Sequence, residues 1–177
     1  MDGDTLTYSI VAQPSHGVAS LVAGKLSYTP AANYNGPDSF TFKANDGTVD
    51  SNIATVSITV TAVNDIPVIT EGASTPVTMS EDGSPTAFSL TLHATDADSN
   101  TLTWIISTPA SHGTASASGT GASKAITYTP ALHYNGSDSF IVQVSDGNGG
   151  TDTIIVNVTI TAGEPSSFTI FLPLILH

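Results

Sequence analysis

The chain has 177 residues and a formal net charge of −12, from 15 acidic side chains, three lysines and no arginine. This charge excludes a nucleic-acid partner, because neutralising phosphates requires Lys and Arg, and it disfavours docking on anionic lipid. The absence of cysteine excludes disulfides, thiolate metal sites and cysteine nucleophiles, and no apolar run reaches the ~18 residues of a membrane-spanning helix.

An internal repeat of about one hundred residues organises the chain. Segment 26–62 returns as 126–162, and the Thr-Leu-Thr of residues 5–7 returns at 101–103. The second copy is whole, whereas the first has no counterpart of residues 68–97. We therefore predict a copy truncated at its N-terminus over 1–63, a linker over 64–67, a complete copy over 68–163 and an apolar tail over 164–177.

Each copy has the pattern of short β-strands. β-Branched and aromatic residues dominate segments 39–44 and 153–160, and Val and Ile alternate with Ser and Thr over 56–61. Asn-Gly and Asp-Gly dipeptides supply the intervening turns, and no window shows a helical period. Short strands in a unit of this length predict antiparallel β-sandwiches, with Trp104 in the core of the second.

Proline marks the junction between the copies. Pro67 lacks an N–H and favours extended geometry in the residue before it, so 64–67 is predicted to be a stiff, extended linker. The tail carries an apolar run over 168–176, about half the length needed to cross a bilayer. An added edge strand, a secretion or sorting signal and a partner-binding segment all remain open for it.

Acidic residues concentrate in the predicted turns. Asp96 and Asp98 flank a single residue, so in an extended chain their carboxylates lie on the same side. Ca²⁺ takes about six to eight oxygen ligands from carboxylates, Asn side chains and backbone carbonyls in loops, and acidic turns with few basic neighbours suit that need. Composition alone leaves open that Asp, Asn and Gly are present only as turn formers.

Short motifs recur at matched positions in both copies. They are Ser-His-Gly at 15–17 and 111–113, Tyr-Thr-Pro at 28–30 and 128–130, Tyr-Asn-Gly at 34–36 and 134–136, Asp-Ser-Phe at 38–40 and 138–140, and Asp-Gly at 46–47 and 146–147. With Thr-Asp-Ala-Asp at 95–98 and Val-Asn-Asp-Ile-Pro at 63–67, they resemble the bacterial cadherin-like and VCBS-type tandem repeats of large secreted, RTX-adhesin-like surface proteins. The resemblance implies an all-β fold of tandem Greek-key β-sandwiches, cadherin-like or immunoglobulin-like, with Ca²⁺ bound where successive domains meet.

Carried over by position, the resemblance implies a set of calcium ligands in the linker and in both copies. The set is Asn64, Asp65, Asp96, Asp98, Asp146, Asn35, Asp38 and Glu81, of which Glu81 is expected to face the following junction. Ala62 stands where such linkers usually have Asp, and Ile66 where they have a second Asn, so we expect only one or two cations. The sequence Gly-Glu-Pro at 163–165 lacks the Asn-Asp of a linker, which indicates the last repeat of an array.

Catalytic constellations do not occur in this sequence. There is no Gly-x-Ser-x-Gly elbow, and His16 and His112 lie in predicted turns. We therefore predict a non-enzymatic, calcium-stiffened spacer or adhesion module of a secreted bacterial surface protein, with neighbouring repeats and a cell-surface protein or glycan as partners. Two alternatives stay open: a carbohydrate-binding accessory domain of an extracellular hydrolase, with Tyr34 and Tyr134 as its aromatic candidates, and a plain structural sandwich whose acids confer solubility.

Overall fold

The computed structural model describes residues 5–163. Every regular element in this range is a β-strand, which confirms the all-β prediction, and no helix there is long and apolar enough to cross a membrane. The tail predicted over 164–177 lies outside the described residues. The pattern of contacts divides the chain into a first unit that ends at Asn64 and a second unit that begins at Asp65.

The five strands described for the first unit correspond to the last five of the second, as the repeat predicts. The first unit contains β1 (Thr7–Ala12), β2 (Gly17–Val22), β3 (Lys25–Pro30), β4 (Gly36–Asn45) and β5 (Ala54–Val60). The second contains β6 (Val68–Ile69), β7 (Ser74–Ser80), β8 (Leu90–Thr95), β9 (Thr103–Thr108), β10 (Gly113–Ser116), β11 (Ser123–Pro130), β12 (Gly136–Ser145) and β13 (Thr151–Thr161).

Two four-stranded sheets form the second unit, in the orders β10-β11-β8-β6 and β7-β13-β12-β9. Neighbouring strands are antiparallel except β7 and β13, which run parallel from the pair Ser74–Ile155 to the pair Ser80–Thr161. β6 and β7 follow each other in the chain but belong to different sheets. The second unit is therefore a Greek-key β-sandwich whose opening segment contributes β6 to one sheet and β7 to the other.

Period-two alternation builds the core of the second unit. In β13 the side chains of Ile154, Val156, Val158 and Ile160 are buried, while the residues between them face outward. Trp104 is completely buried, and its Nε1 donates a hydrogen bond to the carbonyl oxygen of Gly121 at 2.8 Å. Because fully burying an aliphatic side chain contributes about 1.5–3 kcal/mol, the alternation visible in the sequence accounts for much of the packing of this unit.

The first unit repeats only the later part of this topology. β1, β4 and β5 form one sheet and β2 and β3 form the other, which matches the positions of β9, β12, β13, β10 and β11. Residues 5–64 contain no counterpart of β6, β7 or β8. Phe40 is still buried, as its counterpart Phe140 is, and β4 pairs with β5 in the same register as β12 with β13.

Candidate metal centre

Three segments converge at one end of the second unit. β6 pairs antiparallel with β8, with Val68 opposite Thr95, so the chain before β6 and the loop after β8 lie at the same end. The backbone N–H of Ile69 donates to Asp152 Oδ2 at 2.8 Å, which brings the loop between β12 and β13 to that end as well. We call the polar residues of these three segments the acidic pole: Asp65, Asp96, Asp98, Asn100, Asp146 and Asn148.

Hydrogen bonds tie the three segments of the acidic pole together. The backbone N–H of Asp65 donates to Asp98 Oδ2 at 2.7 Å, so the first residue of the second unit is held by the loop after β8. Asn148 Nδ2 donates to Asn100 Oδ1 at 3.0 Å, which joins that loop to the one after β12. Asp65 and Asp98, which are distant in sequence, therefore meet as the resemblance implied, whereas their role as metal ligands stays a prediction.

Asp96 has one satisfied and one unsatisfied carboxylate oxygen. Its Oδ1 accepts hydrogen bonds from the backbone N–H groups of Asp98 at 2.9 Å and Asn100 at 3.2 Å. Its Oδ2 is buried and has no hydrogen-bond partner. A buried oxygen without a partner costs free energy that a bound cation or a water molecule would offset, so the acidic pole contains an oxygen suited to metal ligation.

Asp146 anchors the loop after β12 from within. It is only 5% exposed, and its Oδ1 accepts hydrogen bonds from the backbone N–H groups of Asn148 at 2.7 Å and Gly150 at 2.9 Å. A Cβ at Gly150 would overlap Asp146 Oδ2 and lie 3.0 Å from the Cα of Ile66. Only glycine therefore allows the linker backbone to pass so close to this carboxylate.

The carboxylates of the acidic pole do not form a complete metal site by themselves. Within residues 5–163, no three His, Asp or Glu side chains converge closely enough to hold a metal ion. Ca²⁺ also accepts Asn side chains, backbone carbonyls and water as ligands. Any cation at the acidic pole would consequently need such neutral oxygens.

Three other residues proposed as ligands are not members of the acidic pole as defined above. Asn64 is the last residue of the first unit. Glu81 follows β7 at the opposite end of the second unit, where its Oε1 accepts a hydrogen bond from the Gly163 backbone at 3.2 Å and its Oε2 lies 3.5 Å from Asn135 Nδ2. Asn35 directly precedes β4, which is the position in the first unit that Asn135 has in the second.

Asp38 lies inside strand β4 and not in a turn, contrary to the sequence interpretation. Both of its oxygens accept hydrogen bonds within the first unit. The donors are the backbone N–H groups of Ser15 (3.0 Å), His16 (3.0 Å) and Ser39 (2.9 Å) and the hydroxyl of Tyr28 (2.9 Å). Because these donors already occupy its carboxylate, we leave Asp38 out of the proposed metal site.

The same arrangement recurs around Asp138 in the second unit. Its donors are the backbone N–H groups of Ser111 (3.0 Å), His112 (2.8 Å) and Ser139 (2.9 Å) and the hydroxyl of Tyr128 (2.8 Å). We call each set, centred on Asp38 or Asp138, an aspartate latch, because it ties the start of β2 or β10 to the opposite sheet. The recurrence of Ser-His, Tyr and Asp at fixed spacing was the sequence signal for it.

The latches also shift proton affinities. Burial by itself would raise the pKa of Asp138, but the hydrogen bonds from Tyr128 and the three backbone N–H groups lower it below its ordinary value. Burial and the neighbouring Asp138 carboxylate raise the pKa of Tyr128. In the first unit the corresponding effects raise the pKa of Tyr28 to about 12 and lower the pKa of Asp38.

The aromatic candidates for sugar binding are engaged within their own units. The ring of Tyr34 stacks on His16 and that of Tyr134 on His112, each with a centroid separation of 4.2 Å. Their hydroxyls donate to the carbonyl oxygens of Pro37 and Ser137. Since each ring already has one face covered and its hydroxyl bonded, this geometry does not favour a carbohydrate platform.

Comparison with known proteins agrees with the class that the fold defines, a tandem of immunoglobulin-like and cadherin-like β-sandwiches. A family model described as the bacterial Ig domain matches residues 1–59 and 64–159. The chain therefore belongs to the bacterial Ig domain family. Domains of this bacterial Ig-like and cadherin-like class are typically extracellular and non-catalytic.

The individual proteins that the chain resembles share at most about a third of its residues over the aligned segments. The chain is 32% identical to the integrin beta-like protein A of Dictyostelium discoideum over 56% of its own length, and it spans 6% of that protein. The extracellular domain of protocadherin gammaB4 is similar in fold, with a TM-score of 0.55 and 19% identity over 88% of this chain and 26% of the other. An endo-fucoidan hydrolase of glycoside hydrolase family 107 has a TM-score of 0.45 and 25% identity over 92% of this chain and 24% of the hydrolase.

Proposed function

We propose that this chain is a calcium-stiffened spacer or adhesion module of a secreted bacterial surface protein. The observation that carries the proposal is the buried Oδ2 of Asp96, which has no hydrogen-bond partner and lies in a loop that also holds Asp98 and binds the Asp65 backbone. Calcium is the divalent ion whose preference for carboxylate, amide and carbonyl oxygens in loops matches this composition. The extracellular location typical of the family supplies calcium at suitable concentration.

Asp96 would hold the ion together with neutral oxygens from amide side chains, backbone carbonyls and water, while Asp65, Asp98 and Asp146 would surround the site with negative charge. Bound there, the ion would supply positive charge to an end of the unit that carries four carboxylates. The ion pairs described for residues 5–163 bring no Lys or Arg side chain to any of these four carboxylates. The three segments of the acidic pole would then be cross-linked through charge as well as through hydrogen bonds. Asp65 begins the second unit immediately after the linker residue Asn64, so its fixation would stiffen the chain where successive repeats follow each other.

Calcium should raise the melting temperature of the second unit. An ion that binds only the folded state stabilises by RT ln(1 + [L]/Kd), and extracellular calcium modules have Kd values of about 10⁻⁴–10⁻³ M. At 10 mM Ca²⁺ this relation gives about 1.4–2.7 kcal/mol, or an increase of at least about 5 °C for a unit of this size. The measurement is thermal unfolding, followed by near-ultraviolet circular dichroism of Trp104, with chelator and with increasing calcium.

Magnesium at the same concentration is the control for ionic strength and for simple charge screening. An equal increase with both ions would indicate screening of the acidic surface and would contradict a site built for calcium. No increase with either ion would leave the plain structural sandwich as the function that fits.

Replacing Asp96 by Asn should remove most of the calcium response. Asn keeps an oxygen that can accept from the Asp98 and Asn100 backbone, but it removes the charge and the unsatisfied Oδ2. The chelated variant should melt close to the wild-type temperature, because the loss of a like charge beside Asp98 offsets the altered hydrogen bonding. Calorimetric titration with calcium provides the binding constant.

Asp82→Asn is the matched control, since Asp82 lies near Gly163 at the opposite end of the second unit. This variant should keep the full calcium response. If Asp96→Asn binds calcium as tightly as the wild type, the ligands lie outside the acidic pole and the proposed site is wrong.

A further inference from the structure

Three isoleucines lie together on the outward face of the sheet formed by β7, β13, β12 and β9. Ile141 of β12 stands directly opposite Ile155 of β13, and Ile105 of β9 stands opposite Gln143, two residues further along β12. Opposite and diagonal positions on one face of a sheet are near neighbours. Ile105 and Ile155 are 46% and 44% exposed and Ile141 is half-buried. We call these three side chains the isoleucine patch.

The first unit has no such patch, although the corresponding strands pair in the same way. The three matched positions carry hydroxyl side chains, namely Ser9, Thr41 and Thr55. Lys43 stands at the position of Gln143, and it forms an ion pair with Asp50. Because hydroxyl side chains serve the same strands in the first unit, the fold of the repeat does not require the isoleucine patch.

The face that surrounds the isoleucine patch carries no charged side chain. Its four strands contain no Lys or Arg, and their two carboxylates are Asp138 and Asp152. Asp138 is buried in its latch, and Asp152 accepts a hydrogen bond from the Ile69 backbone. The other outward positions are Ser, Thr, Asn, Gln and Pro. The face is therefore neutral in a chain with a net charge of −12.

We propose that this face is a contact surface between two copies of the chain, which pack face to face with their isoleucine patches against each other. Sheets pack about 10 Å apart by interdigitating the side chains of their facing surfaces, and a two-fold contact uses the same patch on both copies. Two neutral faces can meet without burying a charge, whereas a charged partner would lose hydration against isoleucine. A glycan partner is disfavoured, because the aromatic residues of these strands, Trp104 and Phe140, are buried in the core.

The extent of the face sets the expected affinity. Strands about 4.8 Å apart that rise about 3.3 Å per residue give each residue about 16 Å² of sheet. The strands β7, β13, β12 and β9 have 7, 11, 10 and 6 residues, so each copy offers about 500 Å². A contact of about 1,000 Å² in total belongs to the small, transient class of interfaces. We therefore expect a dissociation constant above about 1 µM.

Sedimentation velocity of the full chain from about 10 µM to about 1 mM tests the proposal. The wild type should shift from monomer towards dimer over this range. The triple variant Ile105→Ser, Ile141→Thr and Ile155→Thr carries the residues of the first unit at the matched positions, so it should keep its fold and associate at least about tenfold more weakly. Thermal unfolding of the same samples establishes that the variant is folded.

Leu132→Ala is the matched control. Leu132 is 83% exposed but lies in the loop before β12, outside this face, and its counterpart in the first unit is Ala32. This variant should associate as the wild type does. Gln143→Lys places one positive charge beside the isoleucine patch of each copy, so it should also weaken association, and added salt should partly restore it.

Two results would overturn the proposal. One is a wild-type chain that stays monomeric up to about 1 mM. The other is association that the triple variant and Gln143→Lys retain in full; its loss on deletion of residues 164–177 would then identify the apolar tail as the contact. Association should be equal in chelator and in calcium, because the face contains no proposed ligand. Failure of this proposal would therefore leave the calcium dependence of the melting temperature unaffected.

Discussion

Replacing Asp138 by Ala should destabilise the second unit by at least about 3 kcal/mol. The substitution leaves the Tyr128 hydroxyl and the backbone N–H groups of Ser111, His112 and Ser139 without their acceptor, in a site where the carboxylate is only 8% exposed. Tyr128 is only 5% exposed, so its hydroxyl loses a charged acceptor where burial disfavours replacement by water. Thermal and urea unfolding should therefore show a decrease in melting temperature of more than about 10 °C.

Tyr128→Phe is the control that removes a single donor of the same latch. It should cost about 1–2 kcal/mol, since three backbone hydrogen bonds to Asp138 remain. If Asp138→Ala and Tyr128→Phe have equal effects, the backbone donors contribute nothing and the latch reduces to one side-chain pair.

The latch also predicts how the stability of the second unit falls at acid pH. Because the folded pKa of Asp138 is lowered, its contribution is present above the unfolded value of about 4 and is lost as the pH falls through the folded pKa. Asp138→Asn cannot titrate at this site, so the difference in stability between wild type and variant should shrink below about pH 4. A difference that stays constant from pH 7 to about pH 2 would contradict the lowered pKa.

Amides of β5 that donate to β4 should exchange at least about a hundredfold faster than the amides of β13 that donate to β12. Both sets belong to regular antiparallel pairs with the same register. β13 is additionally covered by β7 and by a closed core, whereas β5 borders an exposed apolar face. Local opening of β5 therefore exposes little additional surface, and its free energy should be small.

Hydrogen exchange resolved by mass spectrometry of peptides from each strand measures this contrast, and peptides from β4 and β12 are the internal control. β4 and β12 each have a neighbouring strand on both sides. The difference in exchange rate between β4 and β12 should therefore be smaller than the difference between β5 and β13. Equal protection of β5 and β13 would mean that the face of the first unit is covered in solution.

Repetition and alternation sufficed to predict the fold class. The recurrence of segment 26–62 at 126–162 gave two related units, and the alternation of Val and Ile with Ser and Thr gave strands with one buried face. Both signals are local or depend only on spacing along the chain, so they can be interpreted without coordinates. The position of Trp104 in the core followed from the same reasoning and is confirmed.

The positions and hydrogen-bond partners of the acidic residues could be predicted only in part from local sequence patterns. The sequence predicts turns at Asp38 and Asp138, yet each lies within a strand, where it accepts one hydrogen bond from the next residue of that strand and three from residues on other segments. The sequence contained all members of the latch in both copies. It did not indicate that the two sheets bring Tyr128 and His112 to the same carboxylate.

What the sequence by itself determined is the set of strands, their grouping into two copies and the concentration of carboxylates in the segments that flank them, because each depends on residue type and short spacing. Only the tertiary structure decided which carboxylates are committed to hydrogen bonds and which retain an unsatisfied oxygen. Asp98 meets the Asp65 backbone, and Asp96 keeps a buried Oδ2 without a partner, because strand pairing brings the ends of β8, β12 and β6 together. Pairing between segments distant in the chain is set by the packing of the whole core, and no local pattern encodes it.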